Sequence, residues 1–353
     1  MKINYVVREY REGNEVQINE LFNKVFQEKR TLREWEWKFK QNPYRDLHLI
    51  TVAEDADKIV GHYASIPVFM QCGSERFLFA YPVDTFVHPD YRNLKIISDL
   101  YSTHKEIGAK RGYIGAFGFP NEQAYMVGKR LLGYYDLLKL SNLYCRLNWR
   151  QPVKRRLKGI PVSLEKAIQK ASSKYYSVYF SQRPYKLEII DEYIFDERIN
   201  RLWERVHQHF SILCIRDLPY LTWRYMSNPL KAYNILAVGD EEINGYLVYR
   251  IRENNGAYEG VIVDCLWDDE AVLKALLTDS LQRFAREGVD YAILRAQKAT
   301  AFYNVATQLG FRERGGIEDI PVVYHLIKQH DALEKAVKAP SLWYFTYGDS
   351  DGI

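Results

Sequence analysis

One seven-residue phrase occurs twice in this chain. Trp37-Lys38-Phe39-Lys40-Gln41-Asn42-Pro43 returns 186 residues later as Trp223-Arg224-Tyr225-Met226-Ser227-Asn228-Pro229, and both read W-[K/R]-[F/Y]-x-x-N-P. Other pairs follow in the same order. Ile18, Leu21, Phe22 and Val25 correspond at helical spacing to Ile199, Leu202, Trp203 and Val206. Ile59-Val60-Gly61 answers Ile243-Asn244-Gly245, Val83-Asp84 answers Val263-Asp264, and Leu132-Gly133-Tyr134 answers Leu309-Gly310-Phe311. Matches that keep their order while the offset drifts are what one domain, copied and then altered in its loops, leaves behind. A chain of 353 residues also exceeds an ordinary single core, so two domains agree with its length.

Each copy reads as helix, strands, then helix–strand–helix. In the first, an apolar helical face runs through residues 13–41 and strands follow near 48–54, 58–70 and 75–87. A helix spans 94–111, a strand 113–118, and a helix over 121–132 stops at Gly133. In the second copy the strands lie near 233–238, 243–251 and 257–266, followed by a helix over 269–287, a strand over 290–296 and a helix over 299–309. Between the copies a basic run of Arg146, Arg150, Lys154, Arg155, Arg156 and Lys158 precedes a helix over 163–173. That segment reads as a solvated connector, or as a flap closing over an anion.

The stretch Pro82-Val83-Asp84-Thr85-Phe86-Val87-His88-Pro89-Asp90-Tyr91-Arg92-Asn93-Leu94-Lys95-Ile96-Ile97 runs from a β-branched strand through a V-x-P-x-Y-R turn into a helix. Such an order places orphan N–H groups, the positive dipole end and one arginine together, which suits a pyrophosphate. With Asn121-x-x-Ala124 and Gly133-Tyr134, it resembles the acetyl-CoA-binding core of the GNAT (Gcn5-related N-acetyltransferase) superfamily over roughly residues 1–140. Arg92 matches the first position of that family's phosphate motif, while its two motif glycines fall on Lys95 and Ile97. The equivalent turn of the second copy, Asp264-Cys265-Leu266-Trp267-Asp268-Asp269-Glu270, is acidic. Asp268 and Asp269 are expected to cap the helix there and to repel a phosphate.

The resemblance implies an α/β fold of two tandem GNAT-like domains, each a mixed sheet flanked by helices. Residues 1–140 form an acyl-CoA-binding domain, 141–190 a basic helical connector, and 191–353 a degenerate copy. It implies acetyl-CoA or another acyl-CoA as co-substrate, held by Phe86 and Val87 at the strand end, by Arg92, Asn93, Leu94, Lys95, Ile96 and Ile97, and by Asn121. The family's tyrosine, four residues before the closing glycine, falls on Lys129, so Tyr125 one turn earlier is its substitute as catalytic residue. Asp84 is the candidate general base, because an acid buried in a β-branched strand has its pKa raised. The other reading of Asp84 is an acid paired with an arginine or seated at a bulge, and Asp264 in the same context supports it. Trp37 and Trp223 are expected to plug the core, or else to offer a stacking platform to a sugar.

Bulk properties exclude several classes. A net charge of +4 argues against a nucleic-acid footprint. Cys72, Cys145, Cys214 and Cys265 have no C-x-x-C spacing, and His207 and His209 lie two apart on a helix, so no metal site is expected. The first eleven residues lack an apolar signal core and no run is long enough to span a membrane, so a cytoplasmic location is expected. The resulting expectation is N-acyl transfer from acyl-CoA to the primary amine of a small molecule. Long GNAT-like proteins of this pattern look similar to those linked with bacterial cell-surface polysaccharides, so an amino sugar or nucleotide-linked sugar is the first acceptor class. Fem-type tRNA-dependent aminoacyl transfer and a non-catalytic binding protein are the alternatives.

Overall fold

The computed structural model describes residues 4–157, 159–182, 187–314 and 319–351. The first half runs β1 (Val6–Glu9), α1 (Asn14–Phe26), α2 (Leu32–Phe39), β2 (Leu49–Asp55), β3 (Lys58–Cys72), β4 (Glu75–Val87), α3 (Leu94–Lys110), β5 (Gly115–Gly118), α4 (Glu122–Leu131) and β6 (Tyr135–Arg146). Helices α5 (Arg150–Arg156) and α6 (Val162–Ser181) follow. The second half repeats the order with β7 (Ile189–Ile190), α7 (Arg198–Val206), β8 (Ile212–Cys214), α8 (Leu218–Leu221), β9 (Asn234–Gly239), β10 (Ile243–Asn254), β11 (Ala257–Trp267), α9 (Glu270–Arg286), β12 (Tyr291–Ala296), α10 (Ala301–Gln308) and β13 (Arg312–Glu313). It closes with β14 (Ile320–Leu326), α11 (Asp331–Val337) and β15 (Trp343–Tyr344).

The helical stretch at 13–41 is two helices rather than one. Gln27 turns left-handed with φ 57°, and Thr31 restarts the chain with a capping box to Glu34. That Thr-x-x-Glu signal is legible in the sequence. In the second half Asp217 takes Thr31's place, its carboxylate accepting the Tyr220 N–H at 3.0 Å, and a π-helical turn over Thr222–Met226 carries Trp223.

The strands form one continuous sheet in the order β1-β2-β3-β4-β5-β14-β6-β12-β11-β10-β9-β7. The last long strand of the second half lies inside the first. β14 pairs antiparallel with β5, Tyr324 opposite Phe117, and with β6, Ile320 opposite Leu140. The rest of β6 crosses into the second half, where Asn142 faces Arg295 of β12. A boundary at residue 140 therefore falls within β6, and neither half's sheet is completed by its own chain segment alone.

A local two-fold relates the copies at their shared phrase. The Trp37 and Trp223 rings stack 5.2 Å apart at 20°. Trp37 Nε1 donates to the Trp223 carbonyl at 2.9 Å, and Trp223 Nε1 returns the bond to the Trp37 carbonyl at 2.8 Å. Reciprocal contacts of this kind arise where one surface meets its own copy. Both indoles are buried, so they plug the junction and offer no face to a sugar. In each copy the asparagine of Asn-Pro makes the same turn, Asn42 Oδ1 accepting the Tyr44 N–H and Asn228 Oδ1 the Leu230 N–H.

The segment between the halves is docked. α6, longer than its predicted span, lies on α9, with Ser173 Oγ donating to the Ala285 carbonyl and Gln169 Nε2 to that of Gly288 at 3.2 Å. Arg150 pairs at 2.6 Å with Asp290, which is wholly buried. The docking is one-sided: of α6 only Ser172 and Phe180 are buried, and Lys166, Lys170 and Lys174 stay exposed, so the segment is a helical connector solvated on its outer face. Lys158 and the Arg155 side chain lie outside the described residues.

Candidate active site

β4 and β5 are parallel neighbours at Phe79–Gly115 and Ala80–Ala116 only. Past that point β4 runs on to Val87, paired with β3 on one side, and among the described residues no strand pairs with its other edge. A bulge opposite His62–Ala64 accompanies the split, with Asp84 at φ 50°. Aspartate tolerates this left-handed conformation better than the β-branched residues around it. Beneath the split lies a buried aromatic stack that Phe345 of the C-terminal segment covers at 5.4 Å from Phe117. Tyr81 stacks on Phe117 at 5.5 Å, and Phe119 meets both edge-on. A strand edge with no strand partner offers N–H and C=O groups to an extended ligand, as a sheet edge does to an added strand.

The mouth of this opening meets the start of α3. Asn93 caps the helix, its Oδ1 accepting the Ile96 N–H at 3.0 Å. Leu94 and Lys95 occupy the first helical positions, whose N–H groups have no partner within the helix. Arg92 is exposed just before them. The other expected contacts divide by burial. Ile96 is wholly buried against the core beneath Gly61, so only its backbone can face a ligand. Ile97 is half-buried and turned toward the same core, out of the way of a phosphate. Lys95 does not aim at the helix start, because its ammonium is paired with Asp99 one turn on. The Phe86 ring stacks on His62 at 4.8 Å and packs on α1, and Val87 is buried as well. Asn121 sits apart as the cap of α4, accepting the Ala124 N–H at 2.9 Å. The equivalent start in the second half is closed by acid, with Asp269 capping α9 through the Ala271 N–H. Asp268 does not cap; it accepts from Asn244 Nδ2 at 2.8 Å.

Asp84 is buried between two cations. It pairs with Arg30 Nη1 and, at 3.1 Å, with Lys38 Nζ, which reaches Asp351 at 2.8 Å. Burial pushes its carboxyl up, but the charges of Lys38 and Arg30 outweigh burial and leave it below the ordinary range. The expected rise in pKa is thus reversed by partners that lie far off in sequence. His62, whose Nδ1 contacts the Asp84 carbonyl at 2.6 Å, is driven down to about 4 by burial and is neutral near pH 7.

The second half repeats this charge. Asp264 takes Arg216 Nε at 3.0 Å and the Tyr225 hydroxyl at 3.0 Å. Arg30 and Arg216 stand seven residues before Trp37 and Trp223, so the repeat extends to R-[T/D]-L-x-x-x-x-W. That longer register is the signal that could have found both arginines. Tyr125 follows the same logic. Its hydroxyl donates to Asp136 at 2.8 Å, as Tyr303 donates to Glu313 at 2.9 Å in the other copy.

Among the described residues no three His, Cys, Asp or Glu side chains gather as a metal site, and no helix is long and apolar enough to cross a membrane. Residues 6–131 match the family described as acetyltransferase (GNAT) domain. No curated protein matches the chain in sequence. Among solved structures, a GCN5-related N-acetyltransferase from Anabaena variabilis superposes with a TM-score of 0.67 at 12% identity, over 92% of this chain and 73% of that one. A probable N-acyltransferase from Enterococcus faecalis gives 0.65 at 14% identity, over 92% and 73%. The N-myristoyltransferase of Saccharomyces cerevisiae with bound myristoyl-CoA gives 0.55 at 14%, over 92% and 83%. Residues 6–131 thus match an acetyltransferase (GNAT) domain, and over 92% of its length the chain shares the fold of these solved structures, with the same element order present in two copies.

Proposed function

We propose that the chain is an acyl-CoA-dependent N-acyltransferase that uses its first half for the cofactor and acylates a primary amine. The observation that carries this reading is the open β4 edge leading to an uncapped pair of N–H groups and Arg92 at the start of α3. The residues fit acyl-CoA. The split strands would take the pantetheine arm along the β4 edge, and the amides of Leu94 and Lys95 with Arg92 would take the pyrophosphate. Acyl-CoA, when bound, supplies the activated thioester carbonyl. The acceptor nitrogen then bonds to that carbon as the carbon–sulfur bond breaks, and the proton the amine loses balances the thiolate released as CoA thiol.

The chain's own residues define the setting. The open β4 edge orients the carbonyl by hydrogen bonds that need no rearrangement. The buried aromatic stack excludes water beneath it. Asp84, fixed between Arg30 and Lys38, serves as the charge that holds these two cations beside the split. Its pairing disfavours a role as proton acceptor, and the Tyr125 hydroxyl is committed to Asp136. The acceptor class we favour is an amino sugar or nucleotide-linked sugar, by analogy with GNAT-like proteins of similar pattern.

Calorimetric titration of acetyl-CoA into the protein, beside an Arg92→Ala variant, tests the assignment. One site per chain, weakened about tenfold in the variant, is expected. Two sites would show that the second half also binds, and no binding at millimolar cofactor would end the acyltransferase reading.

A further inference from the structure

Beyond the split strands, the second half presents three cations that form no ion pair among the described residues. Arg250 on β10 lies beyond the Tyr249–Asn234 pair, beside Tyr233. Its Nε is buried without a hydrogen-bond partner. Arg295 on β12 lies 3.9 Å over the Tyr347 ring, and its Nε donates to Asn142 Oδ1 at 3.2 Å. Lys231, with Tyr233, lines a cavity of about 670 Å³ at the edge of this face. Among the described residues none of these three forms an ion pair, whereas their neighbour Arg252 is matched by Glu259 at 2.9 Å. Asp351, the acid that faces Lys231, is already held by Lys38.

Half-buried cations without counter-charges carry an uncompensated desolvation cost, which a bound anion would offset. Their fields bear this out. Burial and then Arg250 depress the Lys231 ammonium to about 8, and burial lowers Arg250 and Arg295. Arg295 lies within the electrostatic reach of Tyr81, so the cluster adjoins the aromatic stack beneath the split.

Building on the acyltransferase reading, we infer that the acceptor is an anionic amine, whose carboxylate or phosphate docks among Lys231, Arg250 and Arg295 while its amine faces the split β4 edge. The two planar guanidinium groups and one ammonium suit a tetrahedral or planar oxyanion. An aminoglycoside-like polycation would meet repulsion there, so the charge also sets specificity.

The test titrates inorganic phosphate, and then glucosamine 6-phosphate against glucosamine, into the wild type and into Arg250→Gln and Arg295→Gln. Phosphate binding that falls about tenfold or more in each variant, with acetyl-CoA binding unchanged, is the expected result. Tighter binding of the phosphorylated amine than of glucosamine would add the orientation. Equal phosphate binding in wild type and variants would overturn the proposal. So would loss of acetyl-CoA affinity in Arg250→Gln, which would assign the cluster to a phosphate of the cofactor. Urea unfolding of Arg250→Gln separates a merely structural role: replacing an arginine whose Nε has no partner among the described residues leaves stability equal or higher, and a marked fall would count against an anion site. If acetyl-CoA fails to bind while phosphate still does, the acyltransferase reading fails and the acceptor assignment goes with it; if acetyl-CoA binds and phosphate does not, only the anion proposal fails.

Discussion

Replacing Asp84 by asparagine distinguishes a structural charge from a proton carrier. The carboxylate is 5% exposed and its partners Arg30 and Lys38 are 7% and 11% exposed, so all three act in a weakly screened interior. Lys38 keeps Asp351 at 2.8 Å after the change, and its cost is small. Arg30 keeps Asn19 Oδ1 on its Nε and the Phe22 ring 3.5 Å beneath its guanidinium, and its Nη2 has no hydrogen-bond partner among the described residues. Stranding one partner of a buried pair costs about 3–5 kcal/mol, and the asparagine carbonyl, still an acceptor, puts the expected loss near the lower end, about 3 kcal/mol. Urea unfolding at pH 7 measures it. Because the folded carboxyl lies below its ordinary 3.8, the contribution is complete above that pH and disappears as the pH falls below it. The gap between wild type and Asp84→Asn should therefore close in acid. Arg30→Met combined with Asp84→Asn should recover part of the loss, since the stranded charge is gone. An Asp84→Asn protein that unfolds like wild type yet loses turnover would refute the reasoning and make Asp84 the base.

Three further outcomes follow from the same geometry. Trp37→Ala removes a buried indole and both reciprocal bonds at the two-fold, and should cost about 3–5 kcal/mol in urea unfolding; a loss under 1 kcal/mol would mean the halves do not depend on this junction. The His62 ring, followed by NMR, should titrate near pH 4, so its contribution to stability is present above pH 6.5 and drains away as the pH falls toward 4; a midpoint at 6.5 would contradict its burial. Lys95→Ala should leave acetyl-CoA affinity within about twofold while Arg92→Ala lowers it about tenfold, because the Lys95 ammonium is spoken for by Asp99; equal losses would show that Lys95 swings to the cofactor.

Much of this protein is written in local pattern. The doubled Trp-to-Asn-Pro phrase announced two copies, and the caps at Asn93 and Asn121 are short-range hydrogen bonds that a residue and its next three neighbours decide. The turn before α3 and its acidic counterpart before α9 were equally readable, since both lie within a few consecutive residues. Three things were not. The exchange of β6 and β14 depends on which strand edge is nearest when two sheets meet, and alternation along a strand reports burial without naming the neighbour. The state of Asp84 depends on Arg30 and Lys38, more than forty residues away in sequence, whose charges outweigh the burial that the strand pattern implied. The uncompensated cations of the second half are single residues on β10, β12 and a loop. Each is unremarkable in sequence, and only the packing of those elements brings like charges together where partial burial weakens their screening.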